Sequence, residues 1–209
     1  MTFADLAANF EIELDKVQAP YFPDDWKDEI FNTAMKEWLD NNSPDYEKTE
    51  RRRQDFAPII KHQEFVGAIT QFAATDLLNP LYIITAIGGD FSFECNGTIT
   101  PRTRPIVPLK HDSRYVNLDD PDNVPNDQYP GYLMEDDLYK IKSTNAPTKL
   151  YIDYLMQPPV INIATAPTDV FIFSDAVAYE ITSIAVRIAI GNIESPRYQI
   201  QSIETEKLQ

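Results

Sequence analysis

FSFECNGTIT, residues 91–100, is the stretch that decides the fold of the middle of this chain. Its apolar residues Phe91, Phe93 and Cys95 alternate with polar ones, which is the two-residue period of a strand with one buried face. Asn96-Gly97 is the strongest sequence signal for a two-residue hairpin turn, because both positions of that turn need positive φ. We therefore predict an antiparallel hairpin, in which Cys95 is a small core residue and not a nucleophile.

Further β signals lie on both sides of this hairpin. The β-branched and aromatic run Leu81–Ile84 is typical of a buried strand. Residues 150–156 alternate in the same way, and we expect Tyr139–Ile141 to be their partner strand. Gly88-Gly89 is interpreted as a turn between strands. Residues 79–173 are therefore predicted to form a mainly antiparallel β domain.

The N-terminal region, residues 1–78, is predicted to be helical. Phe3, Leu6, Phe10 and Leu14 share one helical face, and Thr2 with Asp5 resembles a capping box. A second helix follows at 24–42, and a third is expected to start at Ser43-Pro44 and to end near Phe56.

The last region, residues 174–209, is predicted to hold two helices. Ser174 is a suitable N-cap, Gly191-Asn192 is a typical helix stop, and Ser195-Pro196 can start a short final helix. The predicted fold class is α+β, with an N-terminal helical bundle, a mainly antiparallel β domain with long arms, and C-terminal helices.

Composition and charge exclude several classes of protein. The chain has 209 residues, 43% of them hydrophobic, which is enough for a core. Its formal charge of −15 argues against binding DNA or an anionic membrane through its average surface. A DNA-mimic inhibitor fits the charge, but the aromatic-rich composition argues against it. With a single Cys no internal disulfide can form.

No membrane or secretion signal is expected. No apolar run approaches the roughly 20 residues of a transmembrane helix, and residues 1–10 lack the basic start of a signal peptide. Synthesis in a cytosol is therefore expected.

We predict no catalytic residue, cofactor or metal. His62 and His111 do not fit any metal-binding or catalytic spacing. Carboxylates in the acidic loop around Asp119–Asp127 are suitable ligands for Ca²⁺, but their spacing does not match an EF-hand. An acidic Ca²⁺-dependent binding module or hydrolase remains an alternative of another class.

Contacts between subunits are the remaining candidate function. The long irregular stretch 112–131 is interpreted as an arm that reaches a neighbour. The basic run 51–53 either forms salt bridges within its own chain, with Glu47 pairing to Arg51, or pairs with acidic loops of adjacent subunits. The candidate interface residues are Arg51, Arg52, Arg53, Asp119, Asp120 and Asp122.

Four stretches occur in a distinctive order: DYEKTERRRQDFAPII (45–60), VPLKHDSRYVNLDDPDNVPNDQYPGYLM (107–134), TKLYIDYLMQPPVIN (148–162) and SDAVAYEITSIAVRIAIGNIESPRYQIQ (174–201). In this order they resemble the ring proteins of the head–tail connector of crAss-like and related podovirus-type bacteriophages. One difference is Asn79-Pro80-Leu81-Tyr82, where that family tends to carry Leu-Pro-x-Asp-Tyr before its first strand.

The resemblance implies a structural virion protein and not an enzyme. It implies a ring of twelve subunits below the portal protein, in contact with other connector or tail proteins, through which DNA passes without specific binding. The implied location is the virion, at the connector or tail, after synthesis in the cytoplasm of the bacterial host. A minor tail or tail-completion protein is the alternative.

Overall fold

The structure is a computed structural model that describes residues 1–16, 21–95, 98–109 and 124–206, with the side chains of 95 and 193–206 outside the description. It is α+β, with helices towards both ends of the chain, which confirms the predicted fold class. The chain divides into two compact units, 1–58 with 158–209, and 59–157. These bounds differ from the predicted regions 1–78, 79–173 and 174–209, because residues 60–66 and 71–73 are strands and not helix.

The first unit is helical. Its elements are α1 (Phe3–Lys16), α2 (Asp24–Asn42), a 3₁₀ turn (Ser43–Asp45), α3 (Glu50–Phe56) and α4 (Asp175–Glu206). The capping box at the start of α1 is confirmed: the amide and hydroxyl of Thr2 donate to Asp5 Oδ2, and the Asp5 amide donates to Thr2 Oγ1. These hydrogen bonds satisfy amides that the first helical turn leaves without a partner.

Aromatic side chains form much of the core of this unit. The rings of Phe10 and Phe31 are 5.4 Å apart and both side chains are fully buried. Trp38 stacks on Phe56 at 5.0 Å and contacts Phe173 at 5.4 Å. These contacts join α1, α2, α3 and the segment before α4, so the unit is built from both ends of its sequence.

Two helix predictions are wrong. α3 does not start at Ser43, because a 3₁₀ turn and a break intervene and Thr49 caps the helix by accepting from the Arg52 amide. α4 continues through Gly191 and Pro196 as one helix to Glu206. Inside a helix a glycine costs about 1 kcal/mol and a proline about 3 kcal/mol, so both residues weaken a helix without forbidding it.

The second unit contains two sheets. Its strands are β1 (Ile60–Val66), β2 (Gln71–Ala73), β3 (Leu81–Cys95), β4 (Thr98–Pro105), β5 (Val107–Pro108), β6 (Gly131–Glu135), β7 (Leu138–Lys142) and β8 (Lys149–Met156). The strand orders are β1-β8-β3-β4 and β2-β7-β6-β5. A shared core of buried residues includes Phe72, Phe91, Ile106, Leu150 and Ile152.

The hairpin of residues 91–100 has the predicted register. Cys95 pairs with Thr98 and Phe91 with Arg102, both in the antiparallel sense. The two turn residues 96–97 and the side chain of Cys95 lie outside the described part, so the prediction that Cys95 is buried stays a prediction.

Other strand predictions need correction. Gly88-Gly89 is not a turn but part of the continuous strand β3. A Cβ on Gly89 would lie 3.0 Å from Pro147 and 3.1 Å from the Phe91 ring, so close packing and not chain reversal explains a glycine there. Strand β7, around Tyr139–Ile141, does not pair with β8 but with β2 and β6, while β8 lies between β1 and β3.

Candidate subunit-contact site

The basic run 51–53 lies on α3, and two of its three side chains converge on one carboxylate. Arg51 Nη2 is 3.5 Å from Glu180 Oε1, and Arg52 Nη1 is 3.3 Å from Glu180 Oε2. The predicted pairing of Arg51 with Glu47 is therefore replaced by one with Glu180 on α4. This part of the run is engaged within its own chain.

Glu180 also accepts a hydrogen bond from the core. The indole Nε1 of Trp38, a side chain only 1% exposed, donates to Glu180 Oε2 at 2.8 Å. Arg52 lies 3.6 Å from the buried Asp55, whose Oδ2 accepts no hydrogen bond within the described part of the chain. The cluster therefore combines two arginines, two carboxylates and one indole.

Arg53 differs from its two neighbours. Its guanidinium lies 3.4 Å from the exposed Glu50 and donates to the Glu47 carbonyl at 3.2 Å. With a side-chain exposure of 56%, it has more freedom to contact another molecule than Arg52, which is 30% exposed. Arg51 is more exposed, at 72%, but pairs with Glu180 on α4, whereas the partners of Arg53 lie within six residues of it in the sequence.

Sequence reasoning missed Glu180. The signal was present, because Glu180 is a carboxylate between Val177 and Ile181, which are both fully buried on α4. An acidic residue beside such an apolar stripe often has a polar partner that reaches it from a neighbouring element.

The acidic half of the predicted interface belongs to the stretch 110–123. Asp119, Asp120 and Asp122, like His111, lie outside the described residues. The described end of the predicted arm packs against its own unit: Pro130 and Gly131 are buried, and Asp127 accepts hydrogen bonds from the backbone and side-chain amides of Asn145 at 2.7 and 2.6 Å. Residues 124–131 are therefore not a free arm.

A second acidic feature is the turn between β6 and β7. Asp136 and Asp137 have φ values of 52° and 61°, a left-handed conformation that Asp accepts more readily than most residues. Asp136 is 91% exposed. Lys140 lies 3.0 Å from Glu135 and 3.9 Å from Asp136, and so neutralises part of the negative charge of the turn. The turn presents negative charge to solvent.

A polar network crosses the outer face of the first sheet. His62 Nδ1 lies 2.6 Å from Asp153 Oδ1, Lys149 donates to Glu64 at 2.7 Å, and the Tyr151 hydroxyl donates to Asp90 at 2.8 Å. Hydrogen bonds from Thr103 and Tyr151 lower the pKa of Asp90, and the bond to Asp90 raises the pKa of Tyr151. The network ties β1, β8, β3 and β4 together.

Shallow grooves lie between helices in the described part of the helical unit. One of about 280 Å³ is lined by Asn9, Ile12, Glu13, Tyr179, Thr182, Ser183 and Val186. Another, of about 460 Å³, is lined by Trp26, Glu29, Ile30, Thr33, Ile188 and Asn192. Each of these two lining sets has one carboxylate and no His or Cys.

The described residues form neither a metal site nor a membrane-spanning helix. In ranges 1–16, 21–95, 98–109 and 124–206, no three residues of the types His, Cys, Asp and Glu come together as a metal site. Among the helices that can be described, none combines the length and apolarity needed to cross a bilayer. No protein-family model matches the chain, and no curated protein matches it.

Proposed function

We propose that this chain is a structural subunit of a bacteriophage virion, which assembles into a ring in the head–tail connector below the portal and leaves a channel for DNA. The proposal rests on the resemblance of four sequence stretches to connector ring proteins. It makes the function mechanical, so no catalytic residue or cofactor is required.

One observation supports the proposal most directly: the four stretches coincide with the framework of the fold. Residues 45–60 contain α3 and the passage into the β unit, and residues 148–162 contain β8 and the passage back. The described residues of the second stretch, 107–109 and 124–134, contain β5 and all of β6 except its last residue, and residues 174–201 contain most of α4. A likeness in framework elements is what a family of assembly subunits would share.

The charge distribution is compatible with a DNA channel. A basic wall would bind each phosphate and slow DNA passage, because each neutralised phosphate releases counterions. The net charge of −15 and the exposed Asp136-Asp137 turn suit a wall that repels DNA weakly, or a surface that docks on a basic partner.

The direct test is the size and shape of the purified particle. We expect a mass that is a multiple of 23.9 kDa and ring-shaped particles in negative stain. A protein that stays monomeric over a wide concentration range, with and without its portal neighbour, would contradict the proposal. Arg53→Glu should weaken assembly if α3 contributes to the contact, whereas Lys16→Glu, at an exposed position on α1, is the matched control.

A further inference from the structure

In the part of the chain that the structure describes, the outer edge of β1 pairs with no other strand. β1 is the first strand in the order β1-β8-β3-β4, where it pairs with β8. Met156 N donates to Ile59 O, and Gly67 N donates to Thr148 O. The odd-numbered residues of β1 therefore direct their backbone N–H and C=O groups towards β8. Because backbone groups alternate in an antiparallel pair, residues 60, 62, 64 and 66 direct their N–H and C=O groups outward.

The opposite edge of the same sheet is protected. The hydrogen bond from Ile106 N to Ile87 O sets the alternation in β4, so residues 99, 101, 103 and 105 face outward there. Two of these are Pro101 and Pro105, which have no N–H to offer. Proline at outward positions is a common device against strand addition. β1 has no proline, and its register with β8 contains no bulge.

The sequence of β1 is complementary to itself. An antiparallel pairing centred on Gln63 places His62 opposite the partner's Glu64 and Ile60 opposite the partner's Val66. Both pairs involve outward-facing residues, as a hydrogen-bonded pair requires. A pairing centred on Glu64 would place the Glu64 carboxylates of the two copies opposite each other. A pairing shifted by one residue would place outward-facing residues of one copy opposite residues of the other copy that face β8. Opposite charges placed directly across two strands stabilise their pairing, and burial of facing aliphatic side chains adds to it.

We propose that two copies of this chain associate through β1, antiparallel and about a two-fold axis at Gln63, so that their sheets form one continuous sheet. The exposed aliphatic residues Ile60 and Val66, 38% and 75% exposed in the single chain, become buried at this contact. The contact uses the same edge on both copies, so it differs from the head-to-tail contact that closes a ring and does not rest on the proposed function.

The surrounding charges suit this pairing. Asp153 engages His62 Nδ1, and Lys149 engages Glu64. When His62 is protonated, Nδ1 donates to Asp153 and Nε2 can donate to the partner's Glu64. Asp153, His62, the partner's Glu64 and the partner's Lys149 then alternate in charge, with the neutral Tyr151 ring stacked 6.1 Å from His62 and held by Asp90.

Disulfide trapping in the full-length chain tests the register. In a Cys95→Ser background, Gln63→Cys places two thiols opposite each other at the axis, where Cα atoms in a non-hydrogen-bonded pair are about 4.5 Å apart. The control Lys61→Cys places them four residues apart, about 13 Å along the strands. We expect a disulfide-linked dimer with Gln63→Cys only. Equal trapping of both variants, or of neither, would overturn the proposal.

A second pair of variants covers the case in which Gln63→Cys fails to fold, since Gln63 also binds the Asp76 carbonyl and the Leu78 amide. Val66→Lys on β1 and Ile99→Lys on β4 change aliphatic residues of similar exposure, 75% and 68%. Sedimentation equilibrium should show at least a tenfold weaker dimer for Val66→Lys and no change for Ile99→Lys. A dimer unaffected by Val66→Lys, or a wild-type chain with no such dimer, would refute β1 pairing.

Discussion

The indole N–H of Trp38 donates to Oε2 of Glu180, so a fully buried ring on α2 is tied to a half-exposed carboxylate on α4. The same carboxylate receives Arg51 and Arg52. Glu180 therefore connects three helices of the helical unit through side chains alone.

Removal of Glu180 should destabilise the protein. Glu180→Ala leaves the buried Trp38 N–H without its acceptor, and an unsatisfied buried donor costs about 1–3 kcal/mol. The matched control is Glu50→Ala, which removes an exposed partner of Arg53 and should change the free energy of unfolding by less than about 0.5 kcal/mol. Urea unfolding of both variants measures the difference; similar values for the two would show that the Trp38 contact is energetically unimportant.

Lys27 should make stability depend on alkaline pH. Burial disfavours its charge, but hydrogen bonds to Glu11 and Asp24 outweigh burial and raise its pKa. Because the pKa of Lys27 is higher in the folded than in the unfolded state, its contribution to stability is fully present below the unfolded pKa of about 10.4. This contribution is lost as the pH rises further, towards the folded pKa. The stability difference between wild type and Lys27→Met should therefore shrink above about pH 10. Lys16→Met, which removes a lysine at an exposed position, is the matched control.

Gly131 should not tolerate a side chain. A Cβ at this position would lie 2.7 Å from Leu109 Cγ, at the pairing of β5 with β6. Gly131→Ala should cost about 1–3 kcal/mol, as overpacking does, and the cost should largely vanish in a Leu109→Ala background. Gly191→Ala is the contrast: its Cβ meets nothing within 4 Å inside α4, so stability should rise by about 0.5–1 kcal/mol. Additive effects of the Gly131 and Leu109 changes would show that no clash exists.

The acidic turn should weaken any binding of DNA to the assembled protein. Wild-type particles should bind duplex DNA weakly even at low salt, where attraction is largest. Asp136→Asn with Asp137→Gly removes two charges while favouring the same turn, and should increase binding if the turn lines the channel. Asp15→Asn with Asp25→Asn removes the same charge from the helical unit and should have less effect. Tight wild-type binding that falls steeply with salt would mean that a basic tract faces the DNA.

Local signals predicted local structure well. The Thr2–Asp5 capping box and the register across Asn96-Gly97 were predictable, because each depends on residues only a few positions apart. The partners of β8 were not predictable in this way: they lie about 60 and 90 positions away along the sequence, and alternation specifies which face is buried but not which strand lies alongside.

In the candidate site, too, local features were predictable and contacts between distant residues were not. The sequence identified the basic run 51–53 but not Glu180, since that contact depends on how α4 packs in its unit. Thr49 was overlooked as a cap because Ser43-Pro44 gave the stronger start signal, although only Thr49 accepts a hydrogen bond from the first turn of α3.

The division of the chain into two units has a consequence for folding on the ribosome. The β unit, residues 59–157, is continuous in sequence, and its two ends meet where Met156 donates to the Ile59 carbonyl. The helical unit needs Phe173 and Glu180, which are translated after the whole β unit. Domains generally fold in the order of synthesis, but here α1 and α2, which are translated before the β unit, must wait. Nascent α1 and α2 will expose Phe10, Phe31 and Trp38 until α4 emerges, which makes them the part of the chain that most needs protection by a chaperone.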